Sequence, residues 1–146
     1  MSSVLIVVTL IMQRDPPSLT PRELVAIAAR DDPPIGAPAP ARLKSHLGTN
    51  RKLVVYLPEC SGCNLGEALP PNLPASLDSA IFVKRTAEQI PSAVASRDLV
   101  IDIDGDIQRR LNSFGAPRIF RFQSGRLSEL QNLDESWADY LARSTR

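Results

Sequence analysis

Short apolar runs that alternate with helical patterns constrain the fold of this chain more than any other feature of its sequence. Runs rich in Val and Ile, bounded by polar residues or proline, are typical of buried strands. Such runs occupy residues 52–57, 80–84, 99–103 and 118–122, and the last of these, with Gln123-Ser124-Gly125 and residues 126–130, predicts a β-hairpin. Strands that alternate with helices predict an α/β fold, in which a central mixed sheet with parallel strands at its centre is flanked by helices.

The clearest helix signal begins at Thr20. Thr20 is a suitable N-cap, Pro21 suits the first helical position, and Glu23 stands where a capping box requires an acidic residue. The helix should extend to about Arg30. It must end before Pro33-Pro34, because proline lacks the backbone N–H and clashes with the preceding turn.

Two more helices are predicted in the second half of the chain, and a third segment is ambiguous. The turn Asp104-Gly105-Asp106 should cap a helix that carries Ile107, Leu111 and Phe114 on one face and ends at Gly115. Asp134-Glu135-Ser136 opens a last helix whose Trp137, Tyr140 and Leu141 share a face. Residues 86–96 have a helix-like pattern, but Pro91 predicts that this segment is irregular or kinked.

Composition excludes several classes of function. The 146 residues carry a net charge of +1 without a long run of one sign, which argues against a dedicated nucleic-acid or anionic-membrane binder. Two cysteines and one histidine cannot complete a four-ligand zinc site from Cys and His alone. We expect neither a metal nor a cofactor. The proline-rich stretch around residues 35–40 is predicted to be an extended linker, which divides the chain into an appendage, residues 1–34, and a domain, residues 35–146.

The appendage begins with a continuous apolar run at residues 4–12. A membrane-spanning helix needs about 20 apolar residues, and a signal peptide carries positive charge before its apolar region, so the run fits neither. Two interpretations remain open. The run is either a membrane tether or the remnant of an anchor, or it is a hydrophobic terminus that packs against the domain.

The motif that carries chemistry is Cys60-Ser61-Gly62-Cys63, which follows the first predicted strand and opens a predicted helix. Two intervening residues in the first helical turn bring the two sulfurs within disulfide reach, and the free helix N–H groups stabilise a thiolate on the first cysteine. A thiolate is the attacking species in disulfide exchange, and a second thiol resolves the mixed disulfide. Cys60 is therefore the candidate nucleophile and Cys63 the candidate resolving thiol; a buried cysteine pair or a metal half-site is the alternative.

Four pieces of sequence, in order, resemble the thioredoxin-like superfamily and within it the TlpA-like and MauD-like thiol–disulfide proteins. These pieces are Ile35-Gly36-Ala37-Pro38-Ala39-Pro40, the run 52–57 with its Cys-Ser-Gly-Cys motif, Asp102-Ile103-Asp104-Gly105, and Gly115-Ala116-Pro117 with the hairpin after it. The resemblance covers roughly residues 35–143. It implies a thioredoxin-like fold with an N-terminal appendage.

The resemblance also implies a function and a set of site residues. Pro117 would be the family's cis-proline, packed against the disulfide, and Ala116 would offer its backbone to an extended peptide. The expected partners are protein thiols and disulfides. Because bacterial proteins of this kind are typically tethered outside the cytoplasm, a membrane-associated protein that faces an oxidising compartment is expected, with a cytosolic protein as the alternative.

Some positions depart from the family pattern. Glu59 replaces the usual tryptophan before the first cysteine, and its negative charge disfavours the Cys60 thiolate. Val54 is apolar where thioredoxin itself has a buried acid, so Glu67 is a possible proton acceptor, or else an ordinary solvated glutamate. Two other functions therefore stay open: a non-catalytic thioredoxin-fold binding or maturation factor, and a metal-delivery module that uses both cysteines and one borrowed ligand.

Two weaker candidates have structural interpretations. Asp102, Asp104 and Asp106 are spaced like part of a calcium loop, but the glycine is misplaced and no glutamate stands at the twelfth position, which favours a capping turn. His46, the single histidine, falls in a predicted surface loop before the first strand and is not expected to be a catalytic base.

Overall fold

The computed structural model describes residues 18–57, 72–114 and 117–144 of the chain. In these ranges the protein is an α/β structure with one five-stranded mixed sheet flanked by helices. The elements are α1 (Pro21–Ala29), a 3₁₀ turn (Ala41–Leu43) that continues into α2 (Lys44–Leu47), β1 (Lys52–Tyr56), a 3₁₀ turn (Ala75–Leu77), β2 (Ile81–Lys84), β3 (Asp98–Ile101), α3 (Asp106–Leu111), β4 (Arg118–Gln123), β5 (Arg126–Leu130) and α4 (Trp137–Ser144).

The strand order across the sheet is β3-β2-β1-β4-β5. β1 and β2 pair in parallel, as do β2 and β3, whereas β4 pairs antiparallel with both β1 and β5. The predicted α/β class, the parallel centre and the hairpin are confirmed. β1 is the central strand, so the chain that leaves its carboxyl end lies at the middle of one edge of the sheet.

Side chains that alternate along each strand build two cores, one on each face. Val54 and Tyr56 of β1 belong to the first core, and Val55 belongs to the second. Helices α2 and α3 cover the first core, and α4 covers the second. The buried residues that these helices contribute are Leu47, Ile107, Leu111, Tyr140 and Leu141.

The turn of the β4–β5 hairpin has the geometry that its sequence predicts. The register pairs Gln123 with Arg126, which leaves Ser124 and Gly125 as a two-residue loop. Their φ angles are 51° and 74°. Positive φ at both central positions is the mark of a type I′ turn, whose twist matches that of the flanking strands.

The predicted first helix is confirmed together with its cap. The Thr20 backbone N–H donates to the Glu23 carboxylate at 2.7 Å, and the Glu23 N–H donates to the Thr20 hydroxyl at 3.3 Å, which completes the capping box. None of the residues of α1 is buried. The helix is thus defined by its local sequence rather than by packing.

The last helix is also confirmed. The Ser136 hydroxyl accepts a hydrogen bond from the Asp139 N–H at 3.1 Å, as an N-cap residue should. Tyr140 and Leu141 are buried and Trp137 packs beside them, so the predicted face of α4 is the one that covers the sheet.

The predicted end of α3 is wrong. Asn112, with φ 51° and ψ 51°, ends the helix in the left-handed conformation, so Gly115 is not its terminator. Phe114 lies beyond the helix and is 59% exposed, instead of continuing the apolar face. Asparagine adopts the left-handed conformation more readily than most residues, which is the signal that the sequence analysis missed.

Residues 86–96 are irregular, as predicted: they form turns without a helix, because Pro91 has no N–H to donate and Gln89 has a φ of 52°. Two other predictions need correction. The third strand is Asp98–Ile101, and Ile103 lies in the turn after it. His46 lies in the short helix α2 rather than in a loop, and its Nδ1 is 3.1 Å from the Asp98 carboxylate.

The proline-rich segment before α2 lies along the outer edge of the sheet. Gly36 N–H donates to the Leu127 carbonyl at 2.7 Å, and Ala39 N–H donates to the Gly125 carbonyl at 2.9 Å. Ile35 and Gly36 form a turn, so the predicted extended conformation is confirmed only for the residues after them, and Pro38 pairs with Arg126 of β5. An otherwise open strand edge is thereby covered.

Candidate functional site at the carboxyl edge of the sheet

The candidate site lies where β1, β2 and β3 end and β4 begins. Parallel strands place their carboxyl ends on one edge, and the crevice outside that edge is the usual location of sites in open α/β sheets. At this edge Tyr56 pairs with Arg118, and Lys84 pairs with Ile101. The next residues outward are Leu57 on β1 and Pro117 before β4, and Pro117 is half-buried.

A fully buried carboxylate organises the edge. Asp102 accepts hydrogen bonds from the Tyr56 hydroxyl at 2.9 Å and from the N–H groups of Ile107 at 3.1 Å and Gln108 at 2.9 Å. Its own N–H donates to the Lys84 carbonyl at 2.6 Å. All of these donors bind the one carboxylate, and they come from β1 and from the first turn of α3. Asp102 therefore holds the start of α3 against β1.

The predicted capping turn is confirmed around this carboxylate. Asp104 accepts a hydrogen bond from the Asp106 N–H at 3.2 Å. That bond, with further help from the nearby Arg42 and Arg109, lowers the pKa of Asp104 below its ordinary value. The aspartates therefore stabilise the start of α3, and among the described residues no group of three or more His, Cys, Asp or Glu side chains could hold a metal ion.

Two cationic residues end the second strand at this edge. Lys84 is only 3% exposed, and the Arg85 guanidinium donates to the Gln108 side-chain oxygen at 3.1 Å and contacts the Ile103 carbonyl at 3.4 Å. Gly105 makes room for it, since a Cβ there would stand 2.8 Å from Arg85 Nη1, and its φ of 72° also favours glycine. The carboxyl end of β2, beside the end of β1, therefore carries two cationic residues, next to the Asp102 carboxylate.

Arg118 anchors the first residue of β4. Its guanidinium makes a bidentate ion pair with Asp32, at 2.7 and 2.8 Å, and donates to the carbonyl oxygens of Asn112 and Gln131, both at 2.9 Å. The arginine side chain is 5% exposed and the aspartate 17%. Arg118 thus ties β4 to the loop before it, to the residue after β5 and to the segment after α1.

The Asp32–Arg118 contact joins the segment assigned to the appendage with the assigned domain. Asn112 strengthens the junction, because its side-chain amide donates to the Ala28 carbonyl at 2.8 Å and to Asp32 at 2.7 Å. Sequence analysis missed Asp32, Lys84, Arg85 and Arg118. A charged residue at the end of an otherwise apolar strand, as at Lys84 and Arg118, is the signal that would have indicated two of these four residues.

Most residues of the predicted redox site fall outside the described ranges. Cys60, Cys63, the flanking Glu59, the possible proton acceptor Glu67 and the predicted peptide-binding Ala116 all belong to this group. Of the predicted site residues, Pro117 is described, and its peptide bond with Ala116 lies outside the description. The apolar run at residues 4–12 also lies outside it.

Within the described ranges, none of the helices is both long and apolar enough to cross a bilayer.

Comparison with known proteins finds no relatives of this chain. The chain matches no protein-family model, no curated protein and no solved structure.

Proposed function

We propose that the protein exchanges thiols and disulfides with protein substrates through Cys60 and Cys63, in a thioredoxin-like fold. The register between β1 and β4 carries the proposal, because it pairs Tyr56 with Arg118, so the next residues outward, Leu57 and Pro117, both lie at the carboxyl edge. Cys60 follows Leu57 by three residues, so covalent geometry keeps their Cα atoms within about 11 Å. On this proposal the Cys-Ser-Gly-Cys motif and the Pro117 segment form one site.

The charges at the edge support a reactive thiol. Leu57 N–H donates to the Val83 carbonyl at 2.8 Å, so the chain that leads to Cys60 starts beside Lys84 and Arg85. Nearby cations favour the thiolate form of a cysteine and lower its pKa. They oppose the effect of the negative charge that Glu59 introduces.

Exposed apolar side chains at the same edge support a protein substrate. Ile103 is 73% exposed and Phe114 is 59% exposed, and both lie in loops that connect to strand ends at this edge. Such side chains suit an unfolded or extended polypeptide. Ala116 and Pro117 would offer the backbone surface beside them.

The reaction balances within the two cysteines and the substrate disulfide. The Cys60 thiolate attacks one substrate sulfur, a mixed disulfide forms, and the other substrate sulfur leaves as a thiolate. The Cys63 thiolate then attacks Cys60, which releases the second substrate thiolate and leaves a Cys60–Cys63 disulfide. Two electrons pass to the substrate, and the same steps in reverse oxidise a dithiol. Glu67 is the proposed proton acceptor for Cys63.

The decisive experiment combines a potential with trapping. We expect a reversible two-electron couple between roughly −270 and −120 mV, the range of known exchange proteins. Cys63→Ser should accumulate mixed disulfides with substrate, whereas Cys60→Ser should accumulate almost none. The double variant Cys60→Ser/Cys63→Ser is the control for non-specific capture.

Three other results of this experiment would contradict the proposal, and each would favour a different interpretation of the cysteine pair. Equal trapping by the two single variants would show that the assigned roles are wrong. The absence of a reversible couple would contradict exchange chemistry and favour the non-catalytic binding or maturation factor. Stoichiometric metal binding that is lost when either cysteine is replaced would favour the metal-delivery module.

We also propose that residues 4–12 tether this domain to a membrane in an oxidising compartment. Deletion of residues 1–15 should leave the melting temperature and the redox couple unchanged and move the protein wholly to the soluble fraction. A large loss of melting temperature without a change in fractionation would instead show that the run packs against the domain.

A further inference from the structure

A second concave region lies at the opposite end of β1, far along the strand from the proposed redox site. It is a cavity of about 380 Å³ at the amino end of β1, where the 3₁₀ turn Ala75–Leu77 and the last residue of α4 meet the sheet. The polar residues that line it are Arg51, Lys52, Arg121, Ser76, Ser79 and Ser144. The Lys52 ammonium itself lies on the other face of the sheet, where it donates to the His46 carbonyl of α2. None of the described residues that line the cavity is acidic.

The central cation of this cavity is buried and fixed. Arg121 of β4 is only 7% exposed. Its guanidinium donates to the Ser144 carbonyl at 3.1 Å and to the Ser144 hydroxyl at 2.8 Å, and it lies 3.4 Å from the Glu129 carboxylate. A buried guanidinium in a fixed orientation is a preorganised donor for an anion.

The neighbouring acids do not neutralise the positive charge. Glu129 is shared by Arg121, by Arg143 at 2.5 Å and by Arg51 at 4.0 Å. Glu135 pairs with Arg143 at 2.8 Å. Among these described groups, three cations stand against two carboxylates, an excess of one positive charge.

We propose that this cavity binds an oxyanion of the phosphate class, carried by a small molecule. Guanidinium groups present donors in a fork that matches phosphate oxygens, and serines supply further donors. The cavity exceeds a single phosphate and falls at the lower end of the size range of small-molecule sites, about 300–1,000 Å³. The site is independent of the proposed redox function, since it uses other residues at the other end of β1.

The test is a titration of the full chain, followed by the backbone amide signals in two-dimensional NMR. Inorganic phosphate and pyrophosphate are the probes, each at constant ionic strength, with succinate as a dianion that lacks phosphorus. We expect saturable shifts of Leu53, Ser76, Ser79 and Ser144. Tighter binding of pyrophosphate would assign the site to phosphate-bearing molecules, and equal binding would assign it to free phosphate.

Matched arginine variants make the test specific. Arg51→Gln should weaken phosphate binding about tenfold, the loss expected for one charge-assisted contact, and its exposed position should leave the fold intact. Arg42→Gln is the control, because Arg42 is also exposed and pairs with Asp104 beside α3. Shifts that do not saturate, equal shifts with succinate, or equal losses in both variants would overturn the proposal.

Discussion

The two ends of β1 differ in how they hold charge. At the carboxyl end, Asp102 is surrounded by hydrogen-bond donors, and Arg118 is matched to Asp32 and to two carbonyl oxygens. At the amino end, one carboxylate, Glu129, serves three guanidinium groups. Balanced buried charge fixes the position of backbone elements, whereas unbalanced charge beside a cavity leaves capacity for a ligand.

The largest loss of stability should come from breaking the ion pair between Arg118 and Asp32. Arg118→Ala leaves the partly buried Asp32 carboxylate without its partner, and it also frees two carbonyl oxygens. We expect a loss of about 3–5 kcal/mol in the free energy of unfolding, measured by urea denaturation. Asp32→Ala and the double variant complete a cycle that isolates the pairwise energy.

A surface pair of the same two residue types is the matched control for that cycle. Arg97 and Asp78 form an ion pair at 3.0 Å, but the aspartate side chain is 63% exposed. Arg97→Ala should cost less than about 1 kcal/mol, because solvent screens an exposed pair. Similar losses for both arginines would show that the carboxyl edge gains nothing from burial of its charges.

The next largest loss of stability should come from changing Asp102, the buried carboxylate at the start of α3. Asp102→Asn keeps the size of the side chain but turns an amide NH₂ toward groups that are themselves donors. We expect a loss of about 2–3 kcal/mol, because at least one buried donor is left without an acceptor. Amide hydrogen exchange of Ile107 and Gln108 should speed up relative to β4; unchanged protection there would contradict the assigned role.

Sequence patterns predicted the parts of the fold that depend on local rules. The capping box at Thr20, the turn at Ser124-Gly125 and the parallel centre of the sheet each follow from short motifs or from alternation of apolar residues. Hydrophobic alternation also separates the two cores.

Contacts between distant residues were not predictable in the same way. Asp32 and Arg118 are 86 positions apart, and nothing in either local sequence specifies the other. The same holds for Tyr56 with Asp102 and for the cations around Glu129. Periodicity shows which face of a strand is buried, but it does not show which charges meet there, so the candidate site depends on the fold.

At the amino end of β1, a substitution should change the free energy of unfolding by a smaller amount and in the opposite direction. The Tyr140 hydroxyl is buried and has no hydrogen-bond partner among the described residues, near the arginines that surround Glu129. Tyr140→Phe removes an unsatisfied polar atom and keeps the ring. We expect a gain of about 1 kcal/mol at neutral pH. A loss of that size would show that the hydroxyl has a partner in solution.

The pH dependence of stability should report the same tyrosine. Burial, with a further contribution from Glu129, raises the pKa of Tyr140 from 10.0 to about 12. A raised folded-state pKa gives stability that is complete below pH 10 and is lost as the pH rises from about 10 to 12, because the unfolded chain ionises first. Wild-type protein should therefore lose stability in this window faster than Tyr140→Phe, and the difference in stability between the two proteins should be constant between pH 6 and 9.

Tyr56→Phe is the comparison at the carboxyl end of β1. It deletes a hydroxyl that donates to Asp102 at 2.9 Å, so it should destabilise the protein already at neutral pH. If the two phenylalanine variants changed stability in the same direction at pH 7, the contrast between the two ends of β1 would be wrong.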